Sequence, residues 1–283
     1  MSRLENLTEG LQSSRRNLIR IGAIAATAII AKTTSAAADD FRRDDFDRDR
    51  DRDRHRDRDR DRDRDFHCFL TGTTIRTADG DRKVEDLAVG DLLPTVFGRT
   101  CPIQWIGRYR FKRSDPTKPW VRDVLPIRVA RSALGPDVPH ADLYVTQTHA
   151  LLVDGVLVAA GNLINGSTIT RYDASELDEL EFFHIKLELH DVIYAEGAPC
   201  ETLLNVDENA ANFAEYLRQY GPPKSEETPC APVFRYSYRR GEIKSCFRSA
   251  ISPWIDRRKT VDIIRDKLDA RGIALLRESE LMS

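Results

Sequence analysis

The sequence predicts an all-β domain with a small helical extension at its C-terminal end. Three observations carry that expectation. Between residues 68 and 204 the apolar residues fall in short, partly alternating runs, and no stretch keeps a helical period. The runs are separated by turn dipeptides: Asp79-Gly80, Gly90-Asp91 and Asp154-Gly155. Helical spacing shows only later, over residues 208–220 and 254–276. Many short strands joined by turn chemistry describe a sheet-built domain.

The first 38 residues read as an address. Ser14-Arg15-Arg16-Asn17-Leu18-Ile19-Arg20 resembles a twin-arginine export signal. A mildly apolar run follows over residues 21–31, and Ala36-Ala37-Ala38 offers a small-residue cleavage site. The run is too short to stay as a membrane-spanning helix; the plainer alternative is an uncleaved amphipathic anchor. The expected partner is the twin-arginine export machinery. The expected location is periplasmic or extracellular in a bacterium, with membrane anchoring before processing. Residues 39–67 then form a linker of nearly pure charge, alternating Asp and Arg from Asp47, with too little apolar to bury. It is expected to be a disordered tether.

The folded part begins at residue 68. Residues 73–78 and 82–87 read as a hairpin around Asp79-Gly80. Residues 102–111 and 125–130 are strand candidates. Residues 143–158 hold two strands split at Asp154-Gly155. Residues 182–196 read as one long alternating strand, with Phe183, Ile185, Leu187 and Leu189 on one side and His184, Lys186, Glu188 and His190 on the other. A helix over 208–220, a Pro-rich link over 222–232 and a helix over 254–276, its end weakened by Gly272, complete the chain.

Totals narrow the chemistry. The 283-residue chain carries a net charge of −2, so no overall bias points to nucleic acid. The basic stretch Arg235, Arg239, Arg240, Lys244 and Arg248 stands alone in that respect. Five cysteines is an odd number: Cys101, Cys200, Cys230 and Cys246 can form up to two bridges, leaving Cys68 free. The paired Cys/His spacing of a metal site is missing, and no cofactor is expected.

Cys68 opens the folded domain. Its thiol can attack the carbonyl of the bond before it, the His67–Cys68 bond, with the large rate gain of an intramolecular step. The bland alternative is a small buried thiol. A second signal is Thr146-Gln147-Thr148-His149, where one apolar strand ends and the next begins. His149 can serve a departing amide nitrogen, and the Thr146 hydroxyl a developing oxyanion. A lone histidine in an apolar strand is more commonly a satisfied core residue.

Taken together, these pieces resemble one family. Cys68-Phe69-Leu70-Thr71-Gly72-Thr73, then Val84-Glu85-Asp86-Leu87 with Val89-Gly90-Asp91, then Thr146-Gln147-Thr148-His149, then His184-Ile185-Lys186-Leu187, His190-Asp191-Val192 and Ala195-Glu196-Gly197 follow in order. Trp105-Ile106-Gly107 and Ala133-Leu134-Gly135 fit as well. The resemblance is to the bacterial Hint (hedgehog/intein) domains and covers residues 68–205, leaving 206–283 as the extension. It implies a Hint fold, autoprocessing, and Cys68, Thr146, His149 and His190 as catalytic residues, with His184 as an accessory candidate. The scissile bond it implies lies between His67 and Cys68. Cys68 would convert that bond to a thioester, with the chain's own N-terminal segment as substrate.

The chain departs from a splicing intein at Gly197-Ala198-Pro199-Cys200-Glu201, where no Asn is placed to cyclise and the chain continues. The expected outcome is N-terminal self-cleavage without splicing, with water or an outside nucleophile as acceptor. Two rivals stand beside it. One is a catalytically silent Hint module used for binding or envelope assembly. The other is a trans-acting cysteine hydrolase built on Cys68 and His149.

Overall fold

The Asp154-Gly155 signal closes a two-residue hairpin. Both residues hold positive φ, 49° and 78°, and Val153 pairs with Val156 across them. The computed structural model describes residues 67–206 apart from 114 and 116, then 208–222, 228–234, 249, 252 and 259–282. The export signal and nearly all of the charged linker therefore lie outside the described residues, as does Cys246.

The strands are β1 (Phe69–Leu70), β2 (Thr74–Thr77), β3 (Gly80–Lys83), β4 (Leu92–Pro94), β5 (Thr100–Lys112), β6 (Ile127–Val129), β7 (Leu143–Val145), β8 (Ala150–Val153), β9 (Val156–Ala159), β10 (Ile169–Arg171), β11 (Glu179–Leu187), β12 (Val192–Ala195), β13 (Ala198–Glu201) and β14 (Val233–Phe234). Among the described residues, helices α1 (Phe213–Tyr220) and α2 (Thr260–Met282) lie in the C-terminal part of the chain. Among the described residues the strands make two seven-stranded sheets, ordered β10-β6-β7-β1-β11-β5-β4 and β14-β9-β8-β13-β12-β2-β3. The all-β expectation with a helical extension holds.

One apolar core draws on both sheets. Phe69, Leu143 and Ile185 come from the first, and Ile75, Leu151 and Ala198 from the second. A second cluster holds Cys68 with Leu70, Trp105, Tyr109 and Phe182. The two-residue strand β1 lies between β7 and β11, with Phe69 opposite both Val145 and Phe183. That central place in the sheet is what buries the first residues of the domain.

Two strand readings change. Residues 143–158 hold three strands, because residues 146–149 form a turn that carries the chain from the first sheet to the second. Residues 182–196 are not one strand. The chain leaves the first sheet after Leu187 and re-enters the second at Val192. The expected alternation fails with it. His184 and Lys186 are buried, while Leu189 is 60% exposed. β11 pairs with β1 on one edge and β5 on the other, and both of its faces are covered.

The extension is built into the domain. β14 adds to the second sheet in parallel with β9, and the Leu157 amide donates to Pro232 O at 2.8 Å. α2 buries Val261, Ile264 and Leu268 in the main core. Its buried Arg265 donates from Nε to Asn162 O at 2.7 Å. Gly272 lies inside α2 rather than at its end. A Cβ there would sit 2.5 Å from Ser167 Oγ, so glycine permits the close approach of helix and loop. α1 begins at Phe213, later than its spacing suggests. Asn212 caps nothing with its side chain, which instead donates to Ile106 O (2.8 Å) and accepts from the Arg108 amide (3.2 Å) of β5.

Candidate functional site

β1 and the turn after β7 meet at the backbone of Cys68. The Cys68 amide donates to Thr146 Oγ1 at 2.9 Å, and the Thr146 amide donates to Cys68 O at 3.0 Å. Cys68 is 0% exposed. Thr146 thus grips the nitrogen of the His67–Cys68 bond, whereas an oxyanion role concerns the carbonyl oxygen of that bond. Three residues on, the His149 amide closes the turn onto Thr146 O (3.2 Å), and its ring packs on Phe69 at 4.4 Å between centroids. The His149 ring is turned to the His67 backbone, a contact that favours its protonated form, yet neither nitrogen makes a hydrogen bond of normal geometry among the described residues.

A residue absent from the motif reading stands at the centre. Glu201, the last residue of β13, is buried. Its Oε1 lies 2.6 Å from His67 Nδ1 and accepts the Ala150 amide at 2.7 Å. Its Oε2 lies 3.5 Å from His190 Nε2. His190 in turn accepts the Cys230 amide at Nδ1 (3.1 Å), which places its proton on Nε2, facing the carboxylate. His184, two strands from β7 in the first sheet, stacks on His67 at 6.0 Å and meets Tyr109 edge-on at 5.8 Å. His190 and His184 therefore belong to the same group. His190 faces the carboxylate and His184 faces the residue before Cys68.

Residues 67–207 match the family model described as the Hint domain. This chain is a Hint-domain protein. The domain is similar to the gp41-1 intein (14% identity, covering 47% of this chain and 97% of that one, TM-score 0.33). It is also similar to a bacterial intein-like domain from Clostridium thermocellum (15%, 48% and 99%, 0.33) and to a DnaB intein from Synechocystis (12%, 48% and 98%, 0.33). No curated protein matches the chain. The Hint family is one of self-processing domains.

Electrostatics sort the Hint site's groups. Burial pushes the His149 ring down to about 4, with the Glu201 charge opposing weakly, so the ring is neutral at neutral pH. Burial also holds His184 well below its ordinary value, helped by His67 and His149. Burial works against the charge on Glu201, but the charge of His67, the hydrogen bond from His67 and the nearby Nε2 of His190, at 3.5 Å, outweigh it. Its carboxyl lies well below the usual range. Among the described residues Cys68, Cys101, Cys200 and Cys230 are free thiols. Burial pushes Cys200 far upward and Cys230 up to about 11, which leaves both poor nucleophiles at neutral pH.

The motif reading found Cys68, Thr146 and His149 because they sit on two short local stretches. It missed Glu201, which follows Ala198-Pro199-Cys200 in an apolar strand. The available signal was a lone acid in a strand whose neighbours are buried, since a buried carboxylate needs partners.

Proposed function

We propose that the Hint domain cleaves its own His67–Cys68 bond through a thioester and does not splice. One observation carries this reading: the scissile nitrogen is held by the Thr146 hydroxyl beside a buried, neutral, unsatisfied imidazole, His149. In the first step the Cys68 sulfur bonds to the His67 carbonyl carbon and the carbon–nitrogen bond breaks. His149 takes the thiol proton and delivers it to the departing nitrogen. A neutral ring suits this shuttle because it can accept before it donates. Thr146 keeps its bond to that nitrogen as the amide N–H becomes an amine N–H.

In the second step water, or a small outside nucleophile, adds to the thioester carbon and the carbon–sulfur bond breaks. The Cys68 thiol is restored and His67 ends as a carboxylate when water is the acceptor. His190, its Nε2–H aimed at Glu201, is placed to assist this step. The burial of Cys68, His149, His190 and Glu201 favours a small acceptor over a bulky one. The cut separates residues 1–67, and with them the export signal and charged linker, from the domain.

The test is the intact mass of the purified full chain, with and without a small thiol, beside a Cys68→Ala control. A fragment beginning at residue 68 in wild type alone establishes self-cleavage. A full-length mass in both proteins under every condition sinks it and leaves a silent Hint module. Dilution distinguishes the trans-acting hydrolase, since a self-cleavage does not slow when the protein is diluted.

A further inference from the structure

The residue before the scissile bond is held by its side chain as well as by its peptide. His67 ends the segment that cleavage would shed, yet its ring is not left in solvent: the side chain is 28% exposed. One edge meets Glu201 Oε1 at 2.6 Å, and one face lies on His184, 17° from parallel. The carboxylate is part of the framework rather than a response to His67. The same oxygen accepts the Ala150 amide of β8 at 2.7 Å, and β13 pairs with β8 through Cys200 and Leu151. The carboxylate is 5% exposed, in a position where a side chain lacking such an acid would pack without a desolvation cost. A leader that only had to be removed would require neither the acid nor the ring beneath it.

We propose that Glu201 and His184 form a subsite that reads the side chain preceding the nucleophile and selects a planar hydrogen-bond donor there, as His67 supplies. The proposal rests on the self-cleavage reading and extends it from which bond is cut to which residue is accepted before it. An ionised carboxylate only accepts, so the position favours a donor. The His184 ring favours a flat group over a branched one. An acidic residue there meets the charge of Glu201 at short range. Fixing the side chain also fixes the neighbouring carbonyl relative to the Cys68 sulfur, and small errors in that geometry cost rate.

The experiment uses the full chain and has two readouts. The first is the rate of thiol-induced cleavage for wild type and for His67→Ala, His67→Gln and His67→Asp. The second is the nitrogen-bound ring proton of His67 by NMR in the Cys68→Ala protein, which cannot cleave. The expected result is a loss of about tenfold for His67→Ala and a greater loss for His67→Asp, with His67→Gln between wild type and Ala. Glu201→Gln slows cleavage on its own but adds little to His67→Ala, because both remove one interaction. In the Cys68→Ala protein the Nδ1–H signal exchanges slowly with water, and Glu201→Gln abolishes that protection. Equal rates across the His67 series overturn the subsite, and so does an unprotected Nδ1–H. The His67 series and this proton decide the matter even if Glu201→Gln does not fold. A wild type that never cleaves overturns the self-cleavage reading, and the protected proton then shows by itself whether the subsite binds its residue.

Discussion

The amide of Cys68 and the hydroxyl of Thr146 are hydrogen-bonded at 2.9 Å, and the reciprocal bond from the Thr146 amide to Cys68 O measures 3.0 Å. The peptide of Cys68 is thereby clamped to the turn that carries His149. Thr146→Val keeps the shape and removes the acceptor, leaving a buried N–H without its partner. The expected cost is about 1 to 3 kcal/mol of stability and a drop in cleavage of about tenfold or more. Thermal melting and the time course of intact mass measure the two effects separately.

Acid should weaken the fold through His149. Its folded value of about 4 lies below the ordinary 6.5, so the unfolded chain takes the proton first as pH falls. The stability associated with the neutral buried ring is complete above 6.5 and is lost as pH drops toward 4, by about 3 kcal/mol. His184, also held low, acts in the same direction. Glu201, whose carboxyl lies low, adds its own loss once pH falls below the ordinary value of 4.5, and that loss continues until the lowered value is reached. A denaturant midpoint measured across this range should fall on acidification, and His149→Gln should flatten the fall. An unchanged slope in that variant would count against the buried neutral ring.

Among the described residues the extension reaches the site through a backbone bond from the Cys230 amide to His190 Nδ1 at 3.1 Å. Cys230→Pro removes the donor. The Nε2–H tautomer of His190 should lose its preference, visible in its ring nitrogen shifts. Water release of the thioester should slow, while thiol-induced release, which brings its own nucleophile, should change less. Equal slowing of both would place the effect on folding instead of on His190.

The C-terminal helix α2 is expected to behave as core, not as an appendage. Leu268 is buried in the same cluster as Phe69 and Ile185. Leu268→Ala should destabilise the Hint domain by about 2 to 4 kcal/mol, and a chain ending before α2 should show still lower stability. Calorimetry that finds two separate transitions, one unaffected by Leu268→Ala, would refute this.

Much of the fold was legible from short-range pattern. Turn pairs such as Asp154-Gly155 demand positive φ, which few residue pairs supply, and they place hairpins without reference to the rest of the chain. The same holds for Cys68 and for Thr146 with His149 as candidate site residues, which short local motifs single out. The run over 182–196 was misread for the opposite reason. Alternation assumes one wet face, and β11 has none. The chain also changes sheets at residues 188–191, where Asp191 is buried and paired with Arg99 at 2.5 Å.

By itself the sequence determined the all-β class and the family and singled out Cys68 as the candidate nucleophile, because each rests on short motifs that survive in any tertiary context. Only the tertiary structure decided who surrounds that nucleophile. Glu201 lies 134 positions from His67, and His190, Cys230 and His184 arrive from three further segments. A buried acid is stable only where donors from distant strands converge on it, and that convergence is a property of the two packed sheets and not of any stretch of chain.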